Sequence, residues 1–265
     1  MNKPFDLYNP VLITGKGGSG TRLLSRLIRQ VQVFLGNKLN RQGDSLEWVE
    51  INRKFILEGI SIKNGSFNNL NKMQLINQAK QILNHLPRTN SYRAWGLKLP
   101  EMLFMLPEMF ESFEHTKLIH LVRHPIKANM RRTHITSRMD NPIGQWCLPR
   151  AYRYLNLNEN DIRKNTDEIN NAISWKFQLD IINDFAQKNL NGKNYLIIKF
   201  EDIIADPMSV LVCIKTFLGL KNENTDSTEI LIDKNRIEPK NTNAILEDKI
   251  WEICGQTAEF FGYKR

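Results

Sequence analysis

The chain has few cysteines and no long hydrophobic segment. Its three cysteines, Cys147, Cys213 and Cys254, lie far apart and form no Cys-x-x-Cys pair, so neither a disulfide framework nor a cysteine zinc site is expected. No run of about 18 apolar residues is present, and the polar first ten residues, which include Asp6, are unlike a secretory signal. We therefore expect a cytoplasmic protein without a transmembrane segment.

Extremes of composition are also absent. The chain has no internal repeat and no low-complexity tract, and its 265 residues fit one large α/β domain, so we expect a single domain over residues 1–265. Charge is the exception to this ordinary composition. Thirty-seven Lys and Arg residues against 28 Asp and Glu residues give a net charge of +9, which favours an anionic ligand, nucleic acid or an anionic membrane surface.

Strand-like and helical segments alternate along the chain. The predicted strands are Val11–Gly15, Tyr92–Leu99, Lys117–Val122 and Tyr195–Phe200. The predicted helices are Thr21–Val31, Leu46–Ile60, Leu70–Leu86, Glu101–Phe113, Asp167–Asn189 and Asn243–Phe261. This alternation predicts a three-layer α/β fold of the P-loop NTPase-like kind, in which helices flank a mostly parallel central sheet. Ligands of such sheets bind beyond the carboxyl ends of the strands.

Proline and glycine mark further boundaries. The segment Arg138–Leu155 contains two prolines and a glycine, which predict a loop or a lid, with ordinary packing against the body of the protein as the alternative. Asp206 followed by Pro207 predicts the cap and first turn of a helix, and Gly219 predicts the end of that helix.

The segment between the first strand and the first helix is rich in glycine. It reads Gly15-Lys-Gly-Gly-Ser-Gly-Thr-Arg22, and we call Gly15–Gly20 the glycine loop. Glycines at such a turn allow successive backbone N–H groups to converge on an anionic oxygen cluster. Thr21 and Arg22 stand where an ATP-binding P-loop has Lys-Ser or Lys-Thr. The loop predicts a phosphate site, and a turn that binds no ligand is the alternative.

A second strand-to-helix corner carries arginines. The strand Lys117–Val122 is followed by Arg123, whereas a magnesium-dependent P-loop enzyme needs an acidic residue there to hold the metal shell. A guanidinium suits bidentate capture of a phosphate. We expect Arg131 and Arg132 two turns along a basic helix that begins at Pro125, so two separate anion sites are implied. A solvated basic helix face is the alternative.

These motifs resemble the sulfotransferase family, and most closely its bacterial and tyrosylprotein sulfotransferase-like branch. Lys16–Leu24 is similar to the family's 5'-phosphosulfate loop, and Leu118–Pro125 is similar to its 3'-phosphate strand. The resemblance implies that 3'-phosphoadenosine-5'-phosphosulfate (PAPS) is the donor, that no metal is required, and that the acceptor is a hydroxyl or an amine. The donor contacts that it implies are Gly17, Gly18, Ser19, Gly20, Thr21, Arg22, Arg123 and Arg131.

Three features depart from the family's pattern. Gly18 stands where a basic residue usually precedes Ser-Gly-Thr, and Lys16 is one candidate for the missing charge. Arg131 stands where a serine usually follows the strand arginine by eight residues. The family's Arg-Lys-Gly phosphate clamp near the C-terminus is absent, and Arg236 and Lys240 are expected to replace it.

The resemblance also implies the catalytic groups. Trp95-Gly-Leu-Lys98-Leu-Pro100 is similar to a segment that brings a lysine towards the transferring group, so Lys98, with Lys16 as the other cation, is predicted to be catalytic. Asp44 lies after the first helix, where the tyrosylprotein sulfotransferase branch keeps a glutamate base, and we predict it as the base. The alternatives for the base are Glu47, Glu50 and His134.

Two other functions stay open from the residues. A P-loop nucleotide or small-molecule kinase would bind ATP with magnesium, although the loop lysine and the metal aspartate are missing. A non-enzymatic nucleic-acid-binding protein would fit the net charge, although no nucleic-acid-binding motif is present. We expect PAPS and an acceptor as the partners rather than nucleic acid. The sequence leaves open whether the acceptor is a carbohydrate, lipid, peptide or small metabolite.

Overall fold

The computed structural model describes residues 6–86, 92–131, 133–220 and 243–265. In these ranges the strands are β1 (Pro10–Thr14), β2 (Val33–Phe34), β3 (Ala94–Lys98), β4 (Lys117–Val122) and β5 (Tyr195–Lys199). The α-helices are α1 (Thr21–Gln30), α2 (Val49–Glu58), α3 (Asn69–Asn84), α4 (Leu106–Ser112), α5 (Pro125–Asn129), α6 (Pro142–Tyr154), α7 (Asp167–Asn189), α8 (Phe200–Ala205), α9 (Pro207–Leu218) and α10 (Ala244–Phe260). Short 3₁₀ turns cover Leu46–Trp48, Pro100–Met105, Ile135–Ser137 and Glu159–Arg163.

The central sheet confirms the predicted fold class. Its strand order is β2-β3-β1-β4-β5, and every pairing is parallel. The middle strand, β1, pairs Ile13 with Lys98 of β3 and Thr14 with His120 of β4. Because parallel strands end at the same edge of a sheet, the glycine loop, the end of β3 and the residues after β4 lie side by side.

Helices cover both faces of this sheet, because every residue of β1 is buried. Leu12 packs on one face with aromatic residues such as Trp48 and Phe55, whereas Ile13 packs on the other face with α1 residues such as Leu24. Side chains of a strand point alternately to its two faces, so a strand that is apolar throughout must be covered on both. The glycine loop therefore begins at the end of a rigid, fully buried strand.

The prediction of a loop or lid over Arg138–Leu155 is wrong. Most of this segment is α6, which begins at Pro142 with the Asn141 side chain accepting a hydrogen bond from the backbone N–H of Ile143. Proline suits a first helical turn. A β-carbon at Gly144 would lie 1.9 Å from the carbonyl oxygen of Arg138, so this glycine permits close packing. The buried residues of α6, which include Leu148 and Tyr152, pack against the body of the protein and outweigh the low helix propensity of Pro149.

The helix after Arg123 is also shorter than predicted. α5 spans five residues and ends at Asn129, so Arg131 lies beyond the helix, and Arg132 lies outside the described residues. The other helix boundaries at Asp206 and Gly219 are confirmed. The Asp206 carboxylate accepts hydrogen bonds from the N–H groups of Met208 and Ser209, and Gly219 adopts a φ of 71°.

Two findings bear on where the protein works. All three cysteines are free thiols. Across the part of the chain that the structure describes, every helix is too short or too polar to cross a membrane.

Candidate active site

A cavity of about 430 Å³ opens at the carboxyl edge of the sheet. We call it the main cavity. Its walls include nine of the residues predicted for the site: Gly17, Gly18, Gly20, Thr21, Arg22, Asp44, Lys98, Arg123 and Arg131. Residues from both strand-to-helix corners and from the end of β3 thus line the same cavity, as the sheet register requires.

Close packing explains the glycines of the loop. Gly18 and Gly20 have φ angles of 97° and 101°, which L side chains rarely adopt. A β-carbon at Gly17 would lie 2.1 Å from the His134 ring, and one at Gly20 would lie 2.3 Å from the Phe200 ring. The loop backbone therefore contacts two aromatic rings. It leads into the N-terminus of α1, whose first turn holds no acidic side chain, so its N–H groups favour an anion.

Two residues of the glycine loop face away from the main cavity. The hydroxyl of Ser19 is buried and has no hydrogen-bond partner among the described residues. The fully buried ammonium group of Lys16 donates to the Oδ1 atoms of Asn129 and Asn171, at 3.3 and 3.4 Å. Burial lowers the pKa of Lys16 to about 8. Lys16 thus ties the loop to the end of α5 and to α7, and it is absent from the cavity wall.

A buried guanidinium forms the second corner, which we call the arginine corner. The side chain of Arg123 is 1% exposed, and its guanidinium carbon lies 4.0 Å from the centre of the Phe200 ring. The Glu201 carboxylate holds the backbone here, because it accepts a hydrogen bond from the N–H of His124 at 3.1 Å and another from the Tyr263 hydroxyl at 2.8 Å. Arg131 joins Arg123 in the wall of the main cavity.

Phe200 contacts both corners. Its ring abuts Gly20 of the glycine loop and stacks under the guanidinium of Arg123. The sequence analysis assigned this residue to the last apolar strand, whereas it is the first residue of α8. Its position at the carboxyl end of a strand was the available signal.

Lys98 and Asp44 form an ion pair in the main cavity. Lys98, which is 1% exposed, also donates to the backbone oxygen of Gln42 at 3.4 Å. The other carboxylate oxygen of Asp44 accepts a hydrogen bond from the side-chain amide of Asn40 at 2.7 Å. Ser45 joins this loop to β3, since its N–H donates to the Lys98 carbonyl and its hydroxyl accepts from the Lys98 N–H, both at 2.9 Å. The predicted cation and the predicted base are thus in contact.

The alternatives for the base lie in different places. Glu47 accepts hydrogen bonds from the N–H groups of Asn37 and Lys38, at 2.7 and 2.9 Å, and so holds a turn. Glu50 is exposed on α2, and neither glutamate lines the main cavity. His134 does line it.

The sequence analysis missed Glu101, which lies behind His134. Its carboxylate is 3.4 Å from Nε2 of His134. Burial raises the pKa of Glu101 to about 7. It follows directly after the Lys98-Leu-Pro100 segment, and this position was the only signal for it.

Two further arginines that the sequence did not predict for the site, Arg26 and Arg41, lie in the wall of the main cavity and are exposed. Arg236 and Lys240, predicted to replace the C-terminal clamp, lie outside the described residues.

Comparisons with known proteins identify the family of this chain. The model of the sulfotransferase family matches residues 10–224, which include the glycine loop, Lys98 and the arginine corner. No curated protein matches the chain at a significant level.

Solved structures support the fold. The sulfotransferase domain of the olefin synthase from Synechococcus PCC 7002 is 20% identical, with a TM-score of 0.53 over 100% of this chain and 99% of that one. A sulfotransferase from Alicyclobacillus acidocaldarius is 14% identical, with a TM-score of 0.52 over 97% of each chain. One from Mycobacterium avium is 12% identical, with a TM-score of 0.54 over 98% of this chain and 78% of that one. The match to the family model over residues 10–224 shows that the chain belongs to the sulfotransferase family.

Proposed function

We propose that this chain moves a sulfuryl group from PAPS to a hydroxyl or amine acceptor in the main cavity. The observation that carries the proposal is that two corners suited to anions, the glycine loop and the arginine corner, line one cavity and share contact with the Phe200 ring. PAPS has an anionic group at each end of one adenosine, so a single molecule can occupy both corners.

Each end of the donor is assigned to one corner. The 5'-phosphosulfate is assigned to the backbone of Gly17–Gly20 and to Thr21 and Arg22, because the N-terminus of a ten-residue helix stabilises an anion there. The 3'-phosphate is assigned to Arg123 and Arg131, whose guanidinium groups can each donate two hydrogen bonds. We keep Arg236 and Lys240 as proposed further contacts to this phosphate.

Lys98 and Asp44 are assigned to the transfer. Sulfuryl transfer needs the acceptor and the leaving group in line, together with positive charge near the phosphate that departs. The Lys98 ammonium can supply that charge, and the Asp44 carboxylate can take the proton from the acceptor. Lys16, the other predicted catalytic cation, donates to Asn129 and Asn171 instead, and we assign it to holding the loop.

Ligand binding tests the donor. The melting temperature should be measured with 3'-phosphoadenosine-5'-phosphate (PAP), with ATP and magnesium, and with an oligonucleotide. PAP at 100 times its Kd should stabilise the protein by about 2.7 kcal/mol, because it binds only the folded state. A larger shift with ATP and magnesium would favour a kinase. A shift with the oligonucleotide alone that disappears at high salt would favour nucleic-acid binding.

A screen with radiolabelled PAPS tests the acceptor. Carbohydrates, lipids, tyrosine peptides and small metabolites should each be offered, with the Asp44→Asn variant as the control. Transfer of label by the wild-type protein and not by the variant would support both the acceptor and the base. Full transfer by the variant would remove Asp44 from the mechanism.

A further inference from the structure

The glycine loop contributes no cationic side chain of its own to the main cavity. Its one lysine, Lys16, donates to Asn129 and Asn171 in the interior, and its other residues are glycine and serine. The end of the donor assigned to this loop carries both a phosphate and a sulfate. The cations already assigned to it, Arg22 and Lys98, come from α1 and β3, so a further cation beside Gly17 and Gly18 would have to come from another neighbouring element.

His134 lies directly against this part of the loop. Its ring lines the main cavity, and a β-carbon at Gly17 would lie 2.1 Å from both Nε2 and Cδ2 of the ring. Among the described residues, the three atoms nearest to that β-carbon all belong to the His134 ring, at 2.1–2.3 Å. The imidazole thus lies beside the loop backbone at Gly17, one residue before Gly18, the position at which the family usually has a basic residue.

The surroundings of His134 suit a charged ring. Nδ1 lies 3.1 Å from the hydroxyl oxygen of Thr136, and Nε2 lies 3.4 Å from a carboxylate oxygen of Glu101. In the imidazolium form both nitrogens carry a hydrogen. Nδ1–H can donate to the Thr136 hydroxyl, whereas the 3.4 Å between Nε2 and Glu101 is an ion-pair distance longer than a usual N–H···O hydrogen bond, so Nε2–H can also donate to an anion in the main cavity. In the neutral form Nδ1 accepts from the Thr136 N–H at 3.4 Å, which leaves the proton on Nε2.

We propose that His134, as an imidazolium, is the cation that contacts the 5'-phosphosulfate end of the donor, and that Glu101 positions its ring. This inference rests on the donor assignment above. It adds a donor-binding residue for the leaving phosphate, and it makes the binding of that end of the nucleotide depend on pH.

Other titratable groups share the main cavity with His134. Lys98 and Asp44 approach from the β3 side, and Arg123 and Arg131 approach from the arginine corner. Histidine is the group whose ordinary pKa, about 6.5, places its change of charge between pH 6 and pH 9. Glu101, whose raised pKa is about 7, titrates in the same window. The experiment must therefore separate these two groups.

Nucleotide binding to the wild-type protein and to His134→Gln provides the test. Calorimetry should compare PAP with adenosine 3'-monophosphate, which lacks the 5'-phosphate, at pH 6 and pH 9. We expect the wild type to bind PAP about tenfold more tightly than the variant at pH 6, because a hydrogen bond to a charged group contributes about 1.5 kcal/mol or more. The ratio should fall towards one at pH 9. Binding of adenosine 3'-monophosphate should be unaffected, and His115→Gln, at an exposed histidine, should behave like the wild type.

Two further measurements keep the inference testable if His134→Gln folds poorly. Calorimetry of the wild type in buffers with different ionisation enthalpies should show proton uptake when PAP binds near pH 7.5. Glu101→Gln should keep the pH dependence and move it to lower pH, since the carboxylate that favours the imidazolium is gone.

The outcomes separate this inference from the donor assignment. PAP binding that has the same pH dependence in the wild type and in His134→Gln would overturn the role of His134 alone. If PAP binding by Glu101→Gln lost its pH dependence while PAP binding by His134→Gln kept it, the pH dependence would be assigned to Glu101. That result would also overturn the inference. Failure of the wild type to bind PAP at either pH would overturn the donor assignment and the inference with it.

Discussion

The two corners of the main cavity are built in different ways. The glycine loop offers backbone N–H groups, and it requires glycine because aromatic rings press on Gly17 and Gly20. The arginine corner offers a guanidinium that is 1% exposed and rests on Phe200. Anion binding at the glycine loop thus depends on the shape of the backbone, and anion binding at the arginine corner depends on a buried, charged side chain.

The groups behind the two corners differ as well. Behind the loop is a buried ammonium, that of Lys16, which is held by two amides. Behind the arginine corner is a carboxylate, that of Glu201, which is held by a phenol and a backbone N–H. We therefore expect substitutions in the glycine loop to affect donor binding by changing the backbone structure. We expect substitutions at Arg123 to affect donor binding by removing a charge.

The largest effect is expected at the residue that belongs to neither corner. Lys98→Ala should lower kcat about 100- to 1,000-fold, because it removes a preorganised charge from the transition state, while the Kd for PAP changes less than about threefold. Turnover of radiolabelled PAPS and calorimetry with PAP measure the two quantities, with Lys193→Ala as the control at an exposed lysine. A loss of PAP affinity as large as the loss of kcat would mean that Lys98 binds the donor in the ground state as well.

At the arginine corner the expected effect is on binding. Arg123→Ala should weaken PAP about 100-fold, which corresponds to two hydrogen bonds to a charged group. Binding of AMP, which has no 3'-phosphate, should change less than about threefold. Calorimetry with both nucleotides measures this difference, and Arg29→Ala on the exposed side of α1 is the control. Equal losses for PAP and AMP would place the 3'-phosphate elsewhere.

A matched pair of glycines tests the loop corner. Gly20→Ala and Gly18→Ala share a backbone strain of about 1–3 kcal/mol, since both φ angles are near 100°. Only the first meets the Phe200 ring, because the nearest atom to a β-carbon at Gly18 is 3.8 Å away. We expect Gly20→Ala to weaken PAP about tenfold more than Gly18→Ala does. Similar affinities for the two variants would show that Phe200 does not link the corners.

The smallest effect is expected from the ammonium behind the loop. The pKa of Lys16 is about 8 in the folded chain, below the ordinary value of 10.5, so the unfolded chain binds more protons between those two values. The free energy of unfolding of the wild type should therefore rise with pH in that window, by about 1–2 kcal/mol relative to Lys16→Met. Urea denaturation from pH 7 to pH 10 measures the difference, with Lys193→Met as the control. Parallel curves for the wild type and Lys16→Met would mean that the burial of Lys16 does not shift its pKa.

Local patterns sufficed for much of the fold. The strand that precedes the glycine loop, the strand that ends at Arg123, and the cap at Asp206 are each specified within a few residues, and all are confirmed. The prediction of a loop or lid over Arg138–Leu155 was wrong because prolines and a glycine disfavour a helix, whereas tertiary packing stabilises one here. The single domain, the cytoplasmic location and the independence from metal stay predictions.

The site was harder to predict than the fold. Arg123 follows one strand and Lys98 ends another, so both could be placed at the carboxyl edge of the sheet. Phe200 and Glu101 could not be assigned, and His134 could be predicted only as an alternative base, because their roles depend on contacts with segments that are distant in the sequence. An apolar ring and a lone carboxyl have no signature until the chain brings them beside the loop.

The single ring of Phe200, held between Gly20 and Arg123, acts as a spacer of fixed size. Because the ring fixes the separation of the two corners, the corners suit two phosphates that are held at a set distance on one sugar. ATP carries all of its phosphates at one end and would leave the other corner empty. If the proposed donor assignment holds, the protein should bind ATP more weakly than PAPS without any group that repels it.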